Sequence, residues 1–415
     1  MSSSVATTIP VPGTTSTAPA GNRVVLIGTD TYPPDVNGAA RFTHRLATGL
    51  AGRGNRVHVI CLSPDTTGHS GEEDGVTVHR LPSLPVLLYP KQRFVVPGTI
   101  GAAVRRIVEQ VAPDIIHVQS HFGVGRACLR AARTTRTPVM ATNHFMPEPL
   151  LRHLAVPQPV RDWGARQAWR DATRFFHRVD HVTTPTPLAA EVLSRNGFHG
   201  TAEAISCGVD LTGFRPSPDG SAAARNRVGL PERTTIGFVG RLDPEKRIDQ
   251  LIRALPAIRR RVDAQLVVAG VGTQRDRLTD LAAGLGVSEH VHLLGFVTDD
   301  ALPRLYHAFD VFAIAGVAEL QSIVTLEAMA SGLPVVGADA VALPHLIRNG
   351  HNGYLFTPGD IDGLADRIVD VVADPAVSTV MGRAGREMVT EHDHDAALRR
   401  FEARYDALTA ARSLA

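Results

Sequence analysis

Short apolar runs of strand length alternate with segments of helical periodicity, and this alternation passes through the chain twice. In the first half the runs are 24–28 (VVLIG), 57–62 (VHVICL), 115–118 (IIHV) and 139–142 (VMAT). Between them, Phe42, Leu46 and Leu50 mark one face of a helix in 41–53. Apolar strands alternating with amphipathic helices bury a parallel sheet between two helical layers. Three Pro and several Gly break the pattern in 211–233, and it restarts at 235–240, 265–270, 291–294, 311–314 and 334–337. A chain of 415 residues is too long for one core, at roughly 150 residues per domain. The fold class expected is therefore α/β, with two Rossmann-like domains facing across a cleft. Their expected spans are 23–211 and 234–390, with 212–233 as linker and 391–415 as a C-terminal helix packing back toward the first domain. Residues 1–22, rich in Ser, Thr, Pro and Ala, read as a disordered tail.

Composition narrows the function classes. Lys and Arg number 43 against 41 Asp and Glu, a net charge of +2 that argues against nucleic acid as a partner. The stretch 84–96 is the most apolar, but two Pro, Lys91 and Arg93 interrupt it, which argues against a membrane span. Cys61, Cys128 and Cys207 are odd in number and far apart, so neither a disulfide framework nor a cysteine zinc site is expected. The expected location is cytoplasmic.

In doubly wound sheets ligands sit off the carboxyl ends of the strands, so the chemistry should lie in strand-to-helix loops. No GxGxxG follows a strand, Gly270-Val271-Gly272 lacks the third Gly, and no GxxxxGK[ST] occurs. Dehydrogenase and phosphate-loop ATPase readings therefore lose ground. The second half offers Gly240-Arg241-Leu242-Asp243-Pro244-Glu245-Lys246. Here a strand ends, Asp243 is expected to cap a helix, and Arg241 and Lys246 would face the cleft as a pair of cations suited to a diphosphate. Standing alone, such a pair is better explained as ordinary surface charge, so a second signal is needed. A second element, Glu319-Leu320-Gln321-Ser322-Ile323-Val324-Thr325-Leu326-Glu327, opens a helix whose first N–H groups, around Ser322, Ile323 and Val324, can bind an anion. Glu319 and Glu327 flank that helix start, where carboxylates accept hydroxyl donors or simply favour the positive helix end.

Together with Tyr32-Pro33-Pro34-Asp35-Val36-Asn37-Gly38 and the run Ala-Met-Ala-Ser-Gly-Leu-Pro-Val-Val after Glu327, these elements resemble the retaining glycosyltransferases of family 4, which have the GT-B fold. The likeness runs from about Arg23 to about Arg404. It implies a hexosyltransferase that uses a nucleotide diphosphate sugar, GDP- or UDP-linked, with no metal and no other cofactor. By the resemblance, Arg241 and Lys246 bind the donor diphosphate, assisted by N–H groups near Ser322, Ile323 and Val324. Glu327 takes the ribose hydroxyls and Glu319 the transferred sugar. Gly38 lets the backbone approach the phosphates, although Ala39 stands where the family often has a second Gly. His121 matches a His near the reacting sugar.

Other polar groups read more plainly. His117 and His121 are four apart, but His117 lies in a strand, which disfavours a metal pair. Asp360-Ile361-Asp362 and the run 391–395 (EHDHD) read as helix starts rather than metal sites. His144 follows a strand end and is expected on the acceptor side. Arg and aromatic residues interleave in 89–94 and in 161–178; Arg166, Arg170 and Arg174 share one helical face beside Trp169. That face suits an anionic membrane surface and a glycolipid acceptor, while an ordinary amphipathic helix with Trp169 and Phe176 in the core fits the same pattern. A small-molecule acceptor, an epimerase or hydrolase on the same fold, and a non-catalytic sugar-nucleotide binder are the competing readings.

Overall fold

The computed structural model describes residues 22–35, 37–86, 89–95, 99–152 and 156–413. Of the expected tail only Asn22 falls within them. So does the backbone of the basic stretch 89–94, but among its side chains only that of Arg93 is described.

The first domain is built on an eight-stranded sheet. Its strands are β1 (Val24–Gly28), β2 (Arg56–Leu62), β3 (His69–Glu73), β4 (Val76–Leu81), and then, after a separate hairpin of β5 (Leu84–Val86) and β6 (Tyr89–Phe94), β7 (Ile115–Val118), β8 (Val139–Thr142), β9 (His181–Thr184) and β10 (Ala202–Ala204). They lie in the order β10-β9-β8-β7-β1-β2-β4-β3, and only the β3–β4 pair is antiparallel. The second domain has β11 (Thr234–Val239), β12 (Ala264–Ala269), β13 (Val291–Gly295), β14 (Val311–Ile314), β15 (Val335–Ala338) and β16 (Gly353–Phe356), all parallel, in the order β13-β12-β11-β14-β15-β16. Val25, Leu26 and Ile27 in β1 and Leu266, Val267 and Val268 in β12 are fully buried, so uniformly apolar runs became strands covered on both faces. In each sheet the winding reverses beside the first strand, between β1 and β7 and between β11 and β14, and loops diverge there to leave a crevice.

The segment 212–233, expected as a linker, belongs to the second domain's packing. Phe214, Ala224 and Leu230 are apolar enough to join that core, the helix Gly220–Arg227 forms within it, and Arg225 pairs with Asp310 at 2.9 Å. The chain crosses between domains near Val209 and returns near Asp393, and the two crossings pair: Val209 N–H donates to His392 O at 2.8 Å and His394 N–H to Val209 O at 3.0 Å.

The returning chain forms the helix His394–Ser413, which packs on the first domain. Leu398, Phe401 and Tyr405 complete a core with Val25, Ile27, Phe42 and Leu46. Gly49 permits the contact, since a Cβ there would lie 2.7 Å from Leu398 Cδ1. Polar ties fix the helix: Tyr405 Oη and His117 Nδ1 lie 2.8 Å apart, and Glu402 accepts from Arg53 at 2.9 Å and from Asn55 at 3.0 Å. His117 is thereby spoken for, its other nitrogen 2.7 Å from Thr142 Oγ1, and it is no metal ligand. Asp393 and Asp360 cap their helices, accepting from Ala396 N–H at 2.8 Å and Gly363 N–H at 2.9 Å. Among the described residues no helix is long and apolar enough to cross a membrane, and no group of three or more His, Cys, Asp or Glu is placed to hold a metal ion. Cys61, Cys128 and Cys207 are free thiols, all buried.

Phe401 is 1% exposed at the centre of the helix-to-sheet contact. Phe401→Ala is expected to destabilise the protein by about 3 to 5 kcal/mol, read as a lower thermal midpoint. An unchanged midpoint would mean that the C-terminal helix contributes little to the first domain.

Candidate active site

Of the residues singled out from sequence, Gly38, His121, Arg241, Lys246, Glu319 and Ser322 follow the strands that border the two crevices. On the first domain, Asn37 caps the helix Gly38–Gly52 by accepting from Ala40 N–H at 2.9 Å. Gly38 opens that helix, and a Cβ there would meet nothing within 4 Å, so no internal packing demands glycine at this place. The loop after β7 carries His121, which is 1% exposed and ringed by Phe122, Phe145, Phe175 and Phe176. Burial pushes its pKa down to about 4, so the imidazole is neutral. Asp30, in the loop after β1, positions the start of the helix Gly123–Thr135 that follows β7: it accepts from Ser120 Oγ and, at 3.1 Å, from Val124 N–H. Burial raises the Asp30 pKa, and those two hydrogen bonds only partly oppose it. His144, after β8, lies against Phe42 and 3.0 Å from Gln119 Oε1, and burial lowers its pKa to about 4.

Three buried polar atoms on these neighbouring loops have no hydrogen-bond partner among the described residues: Gln119 Nε2, His121 Nδ1 and Asn143 Nδ2. Unpaired buried polar atoms are rare, and their concentration at the carboxyl ends of β7 and β8 marks a place where a polyhydroxyl ligand would find partners. Gln119 and Asn143 were not singled out from sequence, although each directly follows or nearly follows a strand.

On the second domain, Arg241 pairs with Asp243 at 2.7 Å and Glu245 at 2.9 Å. Asp243 makes no cap bond, contrary to expectation. Its carboxylate turns to Arg241 and to Thr273, whose N–H and hydroxyl donate at 3.3 Å, and Pro244–Lys246 form only a 3-10 turn before the helix Ile248–Arg259. Gly270 and Gly272 are needed for close backbone approach: a Cβ on Gly270, at φ +147°, would lie 1.8 Å from Gly240 O, and one on Gly272 would lie 2.4 Å from Leu242 O. The partial glycine motif is thus a packing device that holds the Arg241 loop. Lys246 Nζ donates to Glu319 Oε1 at 2.6 Å, which joins the loops after β11 and β14 across the switch point.

The helix Ile323–Ala330 begins as expected, with Ser322 as N-cap but no side-chain cap bond. Its first N–H groups are therefore the orphan donors of a helix start, beside Lys246 and Glu319. The loop before it is tied to the first domain: Thr186 Oγ1 donates to Leu320 O at 2.9 Å, and Gln321 Oε1 accepts from Cys207 N–H at 2.7 Å.

Glu327 differs from a carboxylate lying open in a cleft. Its side chain is 0% exposed; Oε2 accepts from Tyr306 at 3.1 Å, and Oε1 lies 3.4 Å from the guanidiniums of both Arg41 and Arg45, which come from the first domain's opening helix. Arg41 also pairs with Asp299 at 3.0 Å. Burial opposes the charge on Arg41, but Glu327 and Asp299 outweigh it and raise its pKa. Burial and then Glu327 raise the Tyr306 pKa well above its ordinary value.

The expected arginine face is present with a different aromatic neighbour. Arg166, Arg170 and Arg174 are exposed on the helix Gln158–Phe176. Trp169, however, is core, 2% exposed and donating to Glu148 at 2.8 Å, and Phe176 is core too; the exposed tryptophan is Trp163, at 59%.

Two family models cover the chain in succession, Glycosyltransferase Family 4 over residues 36–212 and Glycosyl transferases group 1 over 222–388. A GDP-mannose-dependent alpha-mannosyltransferase of Mycobacterium tuberculosis is 31% identical over 363 residues, covering 85% of this chain and 88% of that protein. The chain belongs to the family 4 glycosyltransferases. A GDP-mannose-dependent alpha-(1-6)-phosphatidylinositol monomannoside mannosyltransferase of the same organism is 29% identical over 377 residues, 88% of this chain and 93% of its own length. The solved sucrose-phosphate synthase of Thermosynechococcus elongatus superposes with a TM-score of 0.76 at 22% identity, over 94% of this chain and 99% of that one. The fold is GT-B, and this glycosyltransferase uses a nucleotide sugar as donor.

Two outcomes test this site. Lys246→Ala and Arg241→Ala should each remove about 2 to 4 kcal/mol of transition-state stabilisation with little change in thermal midpoint, as loss of one preorganised cation does. A folded variant with normal turnover would remove that residue from the chemistry. The second outcome is acid lability. Burial depresses His117 to about 3 and His121 and His144 to about 4, against an ordinary value of 6.5. Between 6.5 and these values the unfolded chain binds more protons, so stability is lost as pH falls through that window. The slope approaches about 1.4 kcal/mol per pH unit per histidine. Urea midpoints measured from pH 7 down to pH 4.5 should fall, and a flat profile would contradict the neutral, buried assignment.

Proposed function

We propose that the enzyme transfers a hexose, mannose or glucose, from GDP- or UDP-hexose to a hydroxyl of a membrane glycolipid with retention of anomeric configuration. The observation that carries this reading is the pairing of Lys246 with Glu319 ahead of the uncapped start of the Ile323–Ala330 helix on one domain, and the buried polar atoms around His121 on the other, without partners among the described residues, support it. Cations and helix N–H groups stabilise a departing diphosphate. In this reading Arg241 and Lys246 hold the phosphates with Ser322, Ile323 and Val324, Glu327 takes the ribose hydroxyls, and Glu319 the hexose. The acceptor enters by His121 and His144. A front-face displacement follows: the acceptor oxygen bonds to the anomeric carbon on the side the diphosphate leaves, and a leaving phosphate oxygen takes the acceptor proton. The positive charge comes from the protein, so the reaction is read as metal-independent.

The glycolipid acceptor is supported by the exposed Arg166, Arg170 and Arg174, by exposed Trp163 and Phe122 on the same domain, and by relatives named for lipid acceptors. The enzyme would then work on the cytoplasmic face of a membrane without spanning it.

A screen of GDP-mannose, UDP-glucose and related donors with lipid extracts, read by mass spectrometry and NMR, should give an α-linked product with EDTA present. A β-linked product would overturn retention, and a strict need for added magnesium or manganese would overturn metal independence. Anionic vesicles should bind at low salt with about 1 kcal/mol per engaged Arg and release at high salt. Replacing Arg166, Arg170 and Arg174 with Gln should abolish that binding and leave nucleotide binding intact. Absence of vesicle binding at low salt would leave a soluble acceptor.

A further inference from the structure

The first domain supplies cations that no motif predicted. Arg41 lies three positions past Gly38 and Arg45 one turn further on, so both extend from the same face of the Gly38–Gly52 helix toward Glu327. Resting on the donor site read above, we propose that Arg41 and Arg45 are ligands of the donor diphosphate, held on Glu327 until the donor's ribose takes that carboxylate.

The pairing itself argues for a further anion. Both guanidiniums share the single oxygen Oε1 at 3.4 Å, whereas a charge-assisted pair closes to about 2.7–2.9 Å and an arginine fork prefers two oxygens. The second oxygen, Oε2, is held by Tyr306. Arg41 Nε and Arg45 Nη1, both buried, have no hydrogen-bond partner among the described residues. Two arginines thus bring more donors than the one carboxylate oxygen they share accepts, and the Asp299 that Arg41 also meets at 3.0 Å is largely exposed.

The place of these donors matches the proposed ligand. Glu327 follows Ile323 by four positions, about 6 Å along the axis at 1.5 Å per residue, so the guanidiniums sit within a side chain's swing of the helix start where the diphosphate is read. A ribose diol donates two neutral hydroxyls to Glu327. That releases two half-buried cations, whose desolvated atoms favour an anion in its place. Phosphate oxygens meet a guanidinium fork two at a time, which a lysine ammonium does not match.

Calorimetry with UDP and GDP, and with uridine and guanosine as probes lacking phosphate, tests the proposal. Arg41→Gln and Arg45→Gln should each weaken the preferred nucleoside diphosphate about tenfold and leave the nucleoside unchanged, while Arg41→Lys recovers part of the loss. Thermal melts identify any variant that has unfolded, and the milder Arg41→Lys then carries the comparison. Tighter binding of both nucleoside and diphosphate in the Gln variants would mean that the arginines only block Glu327, and unchanged binding would mean a purely structural contact. Either result overturns the proposal. Should wild-type protein bind neither diphosphate, the donor site itself would be misassigned. Loss of binding in Lys246→Ala but not in Arg41→Gln would keep the donor site and sink this inference alone.

Discussion

Everything at the site depends on parallel pairing. A parallel strand must return through a crossover, so the carboxyl ends of all strands in a sheet lie on one edge, and the loops there separate where the winding reverses. This molecule has two such reversals, beside β1 and beside β11, and Gly38, His121, Arg241, Lys246 and Glu319 follow the four strands that border them. Lys246 meets Glu319 because β11 and β14 are neighbours in space, although 73 positions separate the two side chains. Asp30 reaches Ser120 and Val124 for the same reason across β1 and β7.

Two domains that meet edge to edge need a junction that fixes their relation without filling the cleft. The paired crossings at Val209 and Asp393 supply it, and the C-terminal helix seals it on the first domain through Phe401 and Tyr405. Gln321 then links the junction to the site. Its side chain accepts from Cys207 N–H and donates to Ser206 Oγ at 2.9 Å, while its own backbone leads into the helix start at Ser322. The loop read as the donor's anchor is therefore held from the hinge side as well as from its own sheet.

The sequence disclosed whatever is local in chain or periodic in pattern. Strand ends are legible because apolar runs stop at Gly28, Gly240 and Ile314, and caps such as Asp360 are legible because the bonded N–H is three residues away. Pairings over long separations were not. Arg41 and Glu327 are 286 positions apart, and nothing at either position announces the other. Asp243 misled for a related reason, since its local cap geometry was weaker than its contacts to Arg241 and Thr273. Trp163 and Trp169 share one helix, and only the packing of α-helical neighbours decides that Trp169 is core and Trp163 is exposed. Segment 212–233 looked like a linker because Pro and Gly dominate it, whereas the few apolar residues between them decide where it packs.

Each cation at the site already rests on a carboxylate: Lys246 on Glu319, Arg241 on Asp243 and Glu245, and Arg41 and Arg45 together on Glu327. A ligand that brought only phosphates would take the cations and strand the carboxylates, and one that brought only hydroxyls would do the reverse. Each half-exchange leaves unpaired charge in a poorly solvated place, which is expensive. A nucleotide sugar carries both kinds of group in one molecule, a diphosphate flanked by a ribose diol and a polyhydroxyl hexose. It can therefore satisfy Lys246 and Glu319, or Arg41 and Glu327, in the same event. If the donor occupies the site as proposed, selectivity against free phosphate or free sugar would come from the price of the half-exchange rather than from the strength of any one contact.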